Sequence, residues 1–189
     1  MKISKWGGRS LFAGCPLAVA LLFMSTAAAQ DWQAILAQRI PEYGHRNWIV
    51  VADSAYPLQS REGIETIVSN AGQLRVLRTV LAALDASHHV TPIVYTDAEL
   101  KFVDESAAPG VSKYRSELSG MLQRRPVHEL PHEQIISKLD DTAKTFRVLI
   151  IKTNMTIPYT SVFLQLDCAY WGPDAERKLR ETMSQAGIH

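Results

Sequence analysis

Polar side chains that can move protons or hold hydroxyl groups stand beside strongly apolar segments at two distant places in this chain. His45 precedes and Asp53 follows the apolar run 48–52, and the segment 159–161 (Tyr-Thr-Ser) directly precedes another apolar run. Imidazole and carboxylate groups act as general acids and bases, and hydroxyl groups both donate and accept hydrogen bonds. Such groups at the ends of buried strands indicate a site for a small polar ligand.

A further segment, 128–132, reads His-Glu-Leu-Pro-His and matches the H-E-x-x-H pattern of zinc peptidases. Those enzymes carry both histidines on one face of one helix, four residues apart. Pro131 has no N–H and clashes with a preceding helical turn, so we expect a helix to begin there and to leave His128 outside. A zinc peptidase is therefore a minor alternative, and we predict no metal site.

The first 29 residues have the layout of a secretory signal peptide. A basic start is followed by the apolar run 17–24 and by small residues that offer cleavage near Ala29. Removal of the signal peptide leaves residues 30–189, a length typical of a single domain. We therefore expect a periplasmic or secreted protein that has no membrane contact after cleavage.

The charge of the chain argues against one kind of partner, and its cysteine content argues against a disulfide. The chain has 20 basic and 19 acidic residues and a net charge of +1, and it contains no basic run, which argues against nucleic acid as a partner. Of its two cysteines, Cys15 lies in the predicted signal peptide and only Cys168 follows it. The exported chain therefore cannot form an intrachain disulfide, and its hydrophobic core must stabilise the fold without one.

Helical and strand patterns alternate after the predicted signal peptide. Helices are predicted after the caps Asp31 and Asn70, over 114–122, from Pro131 to about 139, and over about 173–186 as an extra C-terminal helix. Strands are predicted over 48–52, 64–68, 91–96, 146–151 and 162–166, and residues 97–111 are predicted to form a surface loop. The alternation predicts an α/β domain, a three-layer sandwich with a mostly parallel central sheet.

The motifs and their order resemble the D-ribose pyranase and L-fucose mutarotase (RbsD/FucU-like) family over roughly residues 32–170. The similar features are a leading helix, a Gly44-His45 step into a strand that ends at Asp53, a His132-Glu133 step that opens a helix, and Tyr159 followed two residues later by a polar side chain. At that last position Ser161 replaces the family's Asn. The Lys-Tyr-Arg at 113–115 is more similar to the fucose branch.

This resemblance implies a sugar mutarotase or pyranase that uses no cofactor and interconverts anomers or ring forms of a free monosaccharide. It implies a ring-shaped homo-oligomer, a pentamer or decamer, with sites at subunit boundaries. By the same resemblance His45 and Asp53 are the catalytic candidates, with His45 as general acid. The candidate sugar contacts are His128, His132, Tyr159, Thr160 and Ser161, and His128 and His132 both stay open as the second histidine.

The implied chemistry needs only proton transfer. Opening a cyclic hemiacetal removes a proton from the anomeric hydroxyl and delivers one to the ring oxygen, and closure reverses both steps. Histidine suits this exchange because its ordinary pKa of about 6.5 lies near neutrality. A non-catalytic periplasmic sugar-binding module on the same fold is the alternative, because Ser161 is shorter than Asn and because export is unusual for the family.

The spacing of His45 and Asp53 raises a question of geometry. Eight fully extended steps of about 3.3 Å would separate their α-carbons by roughly 26 Å, far more than a monosaccharide spans. Either the chain folds back at residues 46–47, or the two residues serve the sites of different subunits.

Overall fold

The computed structural model describes residue 1 and residues 31–188. The predicted signal peptide therefore lies, apart from Met1, outside the described residues. Within them the chain forms six strands, five α-helices and one 3-10 helix. In chain order these are α1 (Trp32–Glu42), β1 (Trp48–Ala52), β2 (Ile64–Val68), α2 (Gln73–Asp85), β3 (Val90–Asp97), the 3-10 helix Ala98–Phe102, α3 (Val111–Leu122), β4 (Val127–Leu130), α4 (His132–Thr142), β5 (Val148–Lys152), β6 (Val162–Cys168) and α5 (Pro173–Gln185).

The six strands form one mixed sheet in the order β2-β5-β1-β6-β3-β4. Strand β6 runs antiparallel to both of its neighbours, β1 and β3, and every other pairing is parallel. Strand β1 sits centrally and all five of its residues are buried, as its continuous apolar sequence predicts. The predicted α/β fold with a mostly parallel sheet is confirmed.

Helices cover both faces of this sheet and form the predicted three layers. Helices α1, α2 and α3 pack on one face, where Leu36, Leu77 and Leu118 join the inner side chains of the sheet. Helix α4 packs on the other face through Ile135 and Leu139. Side chains of β1 alternate between the two cores, which fixes the register of the strand against both layers.

Helix α5 differs from the other four because none of its residues is buried. It follows β6, and its Leu179 and the preceding Trp171 are exposed. Trp171 donates its indole N–H to Glu176 at 2.7 Å, which fixes the entry into the helix. Among the helices of the described residues, none is both long and apolar enough to span a bilayer.

The structure confirms one predicted helix cap, corrects another and adds a strand. Helix α1 begins after its predicted cap, because Asp31 accepts hydrogen bonds from the N–H groups of Gln33 and Ala34. Helix α2, by contrast, begins at Gln73 behind Gly72, because Asn70 adopts a left-handed turn with φ of 51° instead of capping it. Strand β4 was not predicted, since three of its four residues are exposed and the strand lies at the edge of the sheet.

The topology brings distant parts of the chain to one end of the sheet. Five strands finish at what we call the carboxyl end of the sheet, and the antiparallel β6 begins there. Residues that follow β1, β3 and β4 therefore meet residues that precede β6. This is the end at which ligands commonly bind in open α/β sheets.

Candidate functional site

A cleft of about 400 Å³ opens at the carboxyl end of the sheet. Its walls are the turn after β1, residues 53–57, the segment 156–159 before β6, and His132 at the start of α4. The volume falls in the range of about 300–1,000 Å³ typical of small-molecule sites. We call this space the carboxyl-end cleft.

Asp53 is fixed in this cleft through hydrogen bonds to both of its carboxylate oxygens. Ser161 donates its hydroxyl to Oδ2 at 3.0 Å, and the N–H of Ala55 donates to Oδ1 at 2.9 Å in a local turn. Ser161 is buried and links the end of β1 to the start of β6. Asp53 is thus an oriented acceptor, suited to binding a ligand hydroxyl.

Tyr159 enters the cleft on a strained backbone. Its φ of 58° lies in the left-handed region, which is uncommon for a residue with a Cβ and costs on the order of 1 kcal/mol. Its ring is partly exposed and meets the His132 ring edge-on, with centroids 5.8 Å apart and an interplanar angle of 80°. Such strain clusters at ligand sites, where the surrounding structure holds it in place.

Two carboxylates behind the cleft hold His132 from two directions. Asp97, the last residue of β3, places Oδ1 3.0 Å from the ring Nδ1 of His132. Glu99 accepts the backbone N–H of His132 on both oxygens, at 3.0 and 3.1 Å. That N–H belongs to the first turn of α4 and has no partner within the helix, so Glu99 fixes the helix start.

Asp97 lies behind the cleft and has a strongly perturbed pKa. Burial raises its pKa from the ordinary 3.8 to about 6, against the opposing hydrogen bond and charge of His132, while Glu99 and Asp53 add repulsion. Its side chain is fully buried, and Oδ2 has no hydrogen-bond partner among the described residues. Burial also raises the pKa of Tyr56, and the charges of Asp97, Asp140 and Asp53 add to the effect.

We expect Asp97→Asn to make the protein more stable at neutral pH. The folded pKa lies above the unfolded value, so the folded state keeps the proton longer, and stability is lost as pH rises from about 4 to about 6. A neutral amide avoids this loss and should raise the free energy of unfolding by about 1 to 3 kcal/mol above pH 7. Urea unfolding at pH 4, 5.5 and 7.5 measures the effect. An unchanged or lower stability at pH 7.5 would contradict it.

A buried hydrogen-bond network supports the floor of the cleft. The side-chain amide of Gln73 donates to the carbonyl oxygens of Val51 and Thr160, both at 2.8 Å, and its oxygen accepts from the Thr153 hydroxyl at 2.5 Å. The Tyr114 hydroxyl donates to the same Thr160 carbonyl at 2.6 Å. Helices α2 and α3 thereby fix the end of β1 and the segment that enters β6.

Thr160, a predicted sugar contact, belongs to this support instead. It is fully buried, and its hydroxyl donates to the Ile157 carbonyl at 2.8 Å. The left-handed turn at Tyr159 places its ring against His132, and the Ser161 hydroxyl reaches Asp53, while Thr160 between them is turned into the buried support.

Of the two histidines left open, the structure brings His132 to the cleft and not His128. His128 lies exposed in β4 and its ring packs against that of Tyr95 in a tilted arrangement, with centroids 5.2 Å apart. The H-E-x-x-H segment is therefore split between a strand and a helix, and its histidines do not share a helix face. Within residues 31–188 no cluster of three or more His, Cys, Asp or Glu side chains is arranged to hold a metal ion.

His45 lies at the opposite end of the sheet from Asp53. The chain does turn at this point, since the Asn47 N–H donates to the Gly44 carbonyl at 3.2 Å and Arg46 has φ of 74°. The extended strand β1 nevertheless stands between the two residues, and its five residues span roughly 16 Å. His45 is exposed and does not reach the carboxyl-end cleft of its own chain.

A second groove, of about 340 Å³, runs between α3 and the edge formed by β3 and β4. Lys101 and Arg115, two basic residues that line it, already have partners within the chain. Lys101 pairs with Glu129 at 2.7 Å, and Arg115 donates to the carbonyl oxygens of Leu100 and Val103. Asp97 also lines this groove, with its side chain buried and its Oδ1 directed at His132 of the carboxyl-end cleft.

Two residues are absent from the site predicted from the sequence: Tyr56, which lines the cleft, and Asp97, which lies behind it. The predicted surface loop 97–111 includes Asp97, which the structure instead places at the end of β3, directly after a predicted strand just as Asp53 is. Its position at the end of a strand is the signal by which the sequence could have indicated a site residue. Tyr56 lies in the turn after β1 and is buried, with its hydroxyl donating to Gln59 at 3.3 Å.

Residues 33–168 match the model of the RbsD / FucU transport protein family. The chain belongs to this family. The match covers every strand and ends at the last residue of β6, so α5 lies beyond it. No curated protein sequence matches the chain.

Solved structures similar to this chain include three bacterial proteins. RbsD from Bacillus subtilis, complexed with D-ribose, is 23% identical and covers 71% of this chain and 92% of its own, with a TM-score of 0.49. The fucose mutarotase from Streptococcus pneumoniae, in complex with L-fucose, is 20% identical and covers 69% and 89%, with a TM-score of 0.46. FucU from Bifidobacterium longum is 16% identical and covers 70% and 92%, with a TM-score of 0.49.

Proposed function

We propose that this protein is a cofactor-free monosaccharide mutarotase or pyranase. Members of its family are sugar mutarotases and pyranases. The observation that carries the proposal is the meeting of an imidazole, a fixed carboxylate and a phenol, from His132, Asp53 and Tyr159, in one small cleft. These groups can bind hydroxyls and exchange protons, which is all that opening a hemiacetal requires.

In the proposed reaction His132 accepts the proton of the anomeric hydroxyl. The bond between the anomeric carbon and the ring oxygen breaks as a general acid protonates that oxygen, and an open-chain carbonyl sugar results. Closure on the other face of the carbonyl returns both protons and gives the other anomer. Asp53 accepts a hydrogen bond from a sugar hydroxyl, and the Tyr159 ring forms a wall of the site.

The general acid in this proposal is His45 of a neighbouring copy. His45 is exposed at the far end of β1, so it is free to enter a cleft other than its own. His45 and Asp53 of one chain would then serve the sites of different subunits, the second of the two geometries considered from the sequence. It requires a homo-oligomer, and we propose a closed ring in which each copy gives a histidine to the next.

We further propose that the protein is exported. The basic start, apolar run and small residues of positions 1–29 support a cleavable signal peptide. Substrate would then be a free sugar outside the cytoplasm.

One observation favours the alternative, a sugar-binding module without catalysis. Both Asp53 oxygens already accept hydrogen bonds, one of them from Ser161, which stands where the family carries Asn. A carboxylate held in this way is suited to binding a sugar hydroxyl, which is all that a binding module requires of it.

Saturation-transfer NMR on free ribose, fucose and galactose tests the proposal. We expect the protein to accelerate anomer or ring-form exchange of at least one sugar, and His132→Asn to lower that rate at least about a hundredfold, the usual contribution of an acid or base. His128→Asn is the matched control, because His128 lies outside the cleft, and its rate should stay within about twofold. Binding without faster exchange would instead support the sugar-binding module.

A further inference from the structure

The imidazole of His132 is held from behind by a buried carboxylate and is open in front. Asp97 Oδ1 lies 3.0 Å from Nδ1, and the Asp97 side chain has no exposed surface. The His132 side chain keeps 29% of its surface exposed and lines the cleft. Its other ring nitrogen, Nε2, makes no hydrogen bond within residues 31–188.

We propose that Asp97 is a positioning residue that fixes the tautomer and orientation of His132. An ionised carboxylate can only accept hydrogen bonds, so Nδ1 must carry the hydrogen. In the neutral ring Nε2 then has a free lone pair toward the cleft, where a sugar hydroxyl would bind. The inference deepens the proposed function and rests on it for the identity of the ligand.

A purely structural role does not account for Asp97. The start of α4 is already fixed by Glu99, which accepts the backbone N–H of His132 on both oxygens. Asp97 instead contacts the ring, and its Oδ2 stays buried without a partner among the described residues. Burying a carboxylate with one unsatisfied oxygen is costly, and a neutral side chain would avoid that cost.

The groups around Asp97 are consistent with this role. Asp53 from the end of β1 and Glu99 from the 3-10 helix are acidic, and Tyr56 and Tyr114 are buried phenols from the β1 turn and α3. His132 is the one basic group among these neighbours. When Nε2 takes a proton from the anomeric hydroxyl, the carboxylate stabilises the resulting imidazolium, and the proton stays on the ring until closure returns it.

Nitrogen-15 NMR of histidine-labelled protein at pH 8 tests the inference directly. Protonated and unprotonated ring nitrogens have well-separated shifts, and His132→Asn assigns the signals of His132. We expect the hydrogen on Nδ1 in the parent protein. In Asp97→Asn the amide can donate to Nδ1, so the hydrogen should move wholly or partly to Nε2. Glu99→Gln, the matched control, should leave the tautomer unchanged.

Kinetics on the same variants give the second measurement. Asp97→Asn should lower kcat at least about tenfold and change KM less than about threefold, since sugar contacts remain. A parent spectrum with the hydrogen on Nε2, or an Asp97→Asn variant with unchanged tautomer and rate, would overturn the inference. A parent that exchanges no sugar would overturn the proposed function alone, because the tautomer is measured without activity.

Discussion

Mixed oligomers built from two inactive variants, His45→Ala and His132→Asn, are expected to regain sugar exchange. Each variant alone should lose at least about a hundredfold in rate, because each removes one acid or base. In randomly mixed rings half of the copies donate an intact His45 and half carry an intact cleft. About a quarter of the sites then contain both groups, so about a quarter of the parent rate should return.

Co-expression of the two variants with different affinity tags, followed by purification on both tags, yields such oligomers. The matched control pairs His132→Asn with Asp53→Asn. Both of these changes lie in the cleft of one chain, so mixing creates no intact cleft, and the rate should not exceed the mean of the two variants measured alone. Equal rates in the two mixtures would show that sites are not shared, and full activity of His45→Ala alone would remove His45 from the mechanism.

Gly63→Ala is expected to cost about 3 kcal/mol or more of folding free energy. A Cβ at Gly63 would lie 2.2 Å from the Ala143 carbonyl oxygen and 2.9 Å from that of Phe146. Both are backbone atoms in the turn between α4 and β5, so relief requires moving the chain and not a side chain. The Val148 N–H donates to the Gly63 carbonyl at 2.9 Å, which ties the two segments together.

Urea unfolding at one fixed protein concentration measures this cost, because an oligomer's stability depends on concentration. Gly120→Ala is the matched control. Gly120 lies inside α3, and a Cβ there meets no atom within 4 Å, so the change should stabilise by about 0.5 to 1 kcal/mol. A Gly63→Ala variant as stable as the parent would show that the close approach relaxes freely.

The layers of the fold could be predicted because the spacing of apolar residues in the sequence matches the side chains that are buried in the structure. The run 48–52 is continuously apolar, and it forms the fully buried central strand β1. The stripe that contains Leu77, Leu81 and Leu84 predicts α2, and all three side chains are buried. In each case the apolar residues form an uninterrupted pattern, and the segment contains neither Gly nor Pro.

The cleft was harder to predict because its members come together only through the strand order. Asp53 and Ser161 are 108 positions apart, and they are hydrogen-bonded because β1 pairs with β6. Asp97 and His132 meet for a similar reason, since β3 pairs with β4. Strand β4 itself carries no apolar alternation that could have been recognised. Without it the position of His132 beside β3 could not be foreseen.

The reversed direction of β6 has a consequence for how sugar preference could change. Residues 153–161 leave β5 and enter β6 at the same end of the sheet, so this connection crosses no layer. Insertions or deletions in its exposed part would reshape one wall of the binding space and leave strand register untouched. Ligand preference could therefore diversify by remodelling this one connection, which passes the end of β1, while His132 at the start of α4 and Asp53 after β1 stay in place.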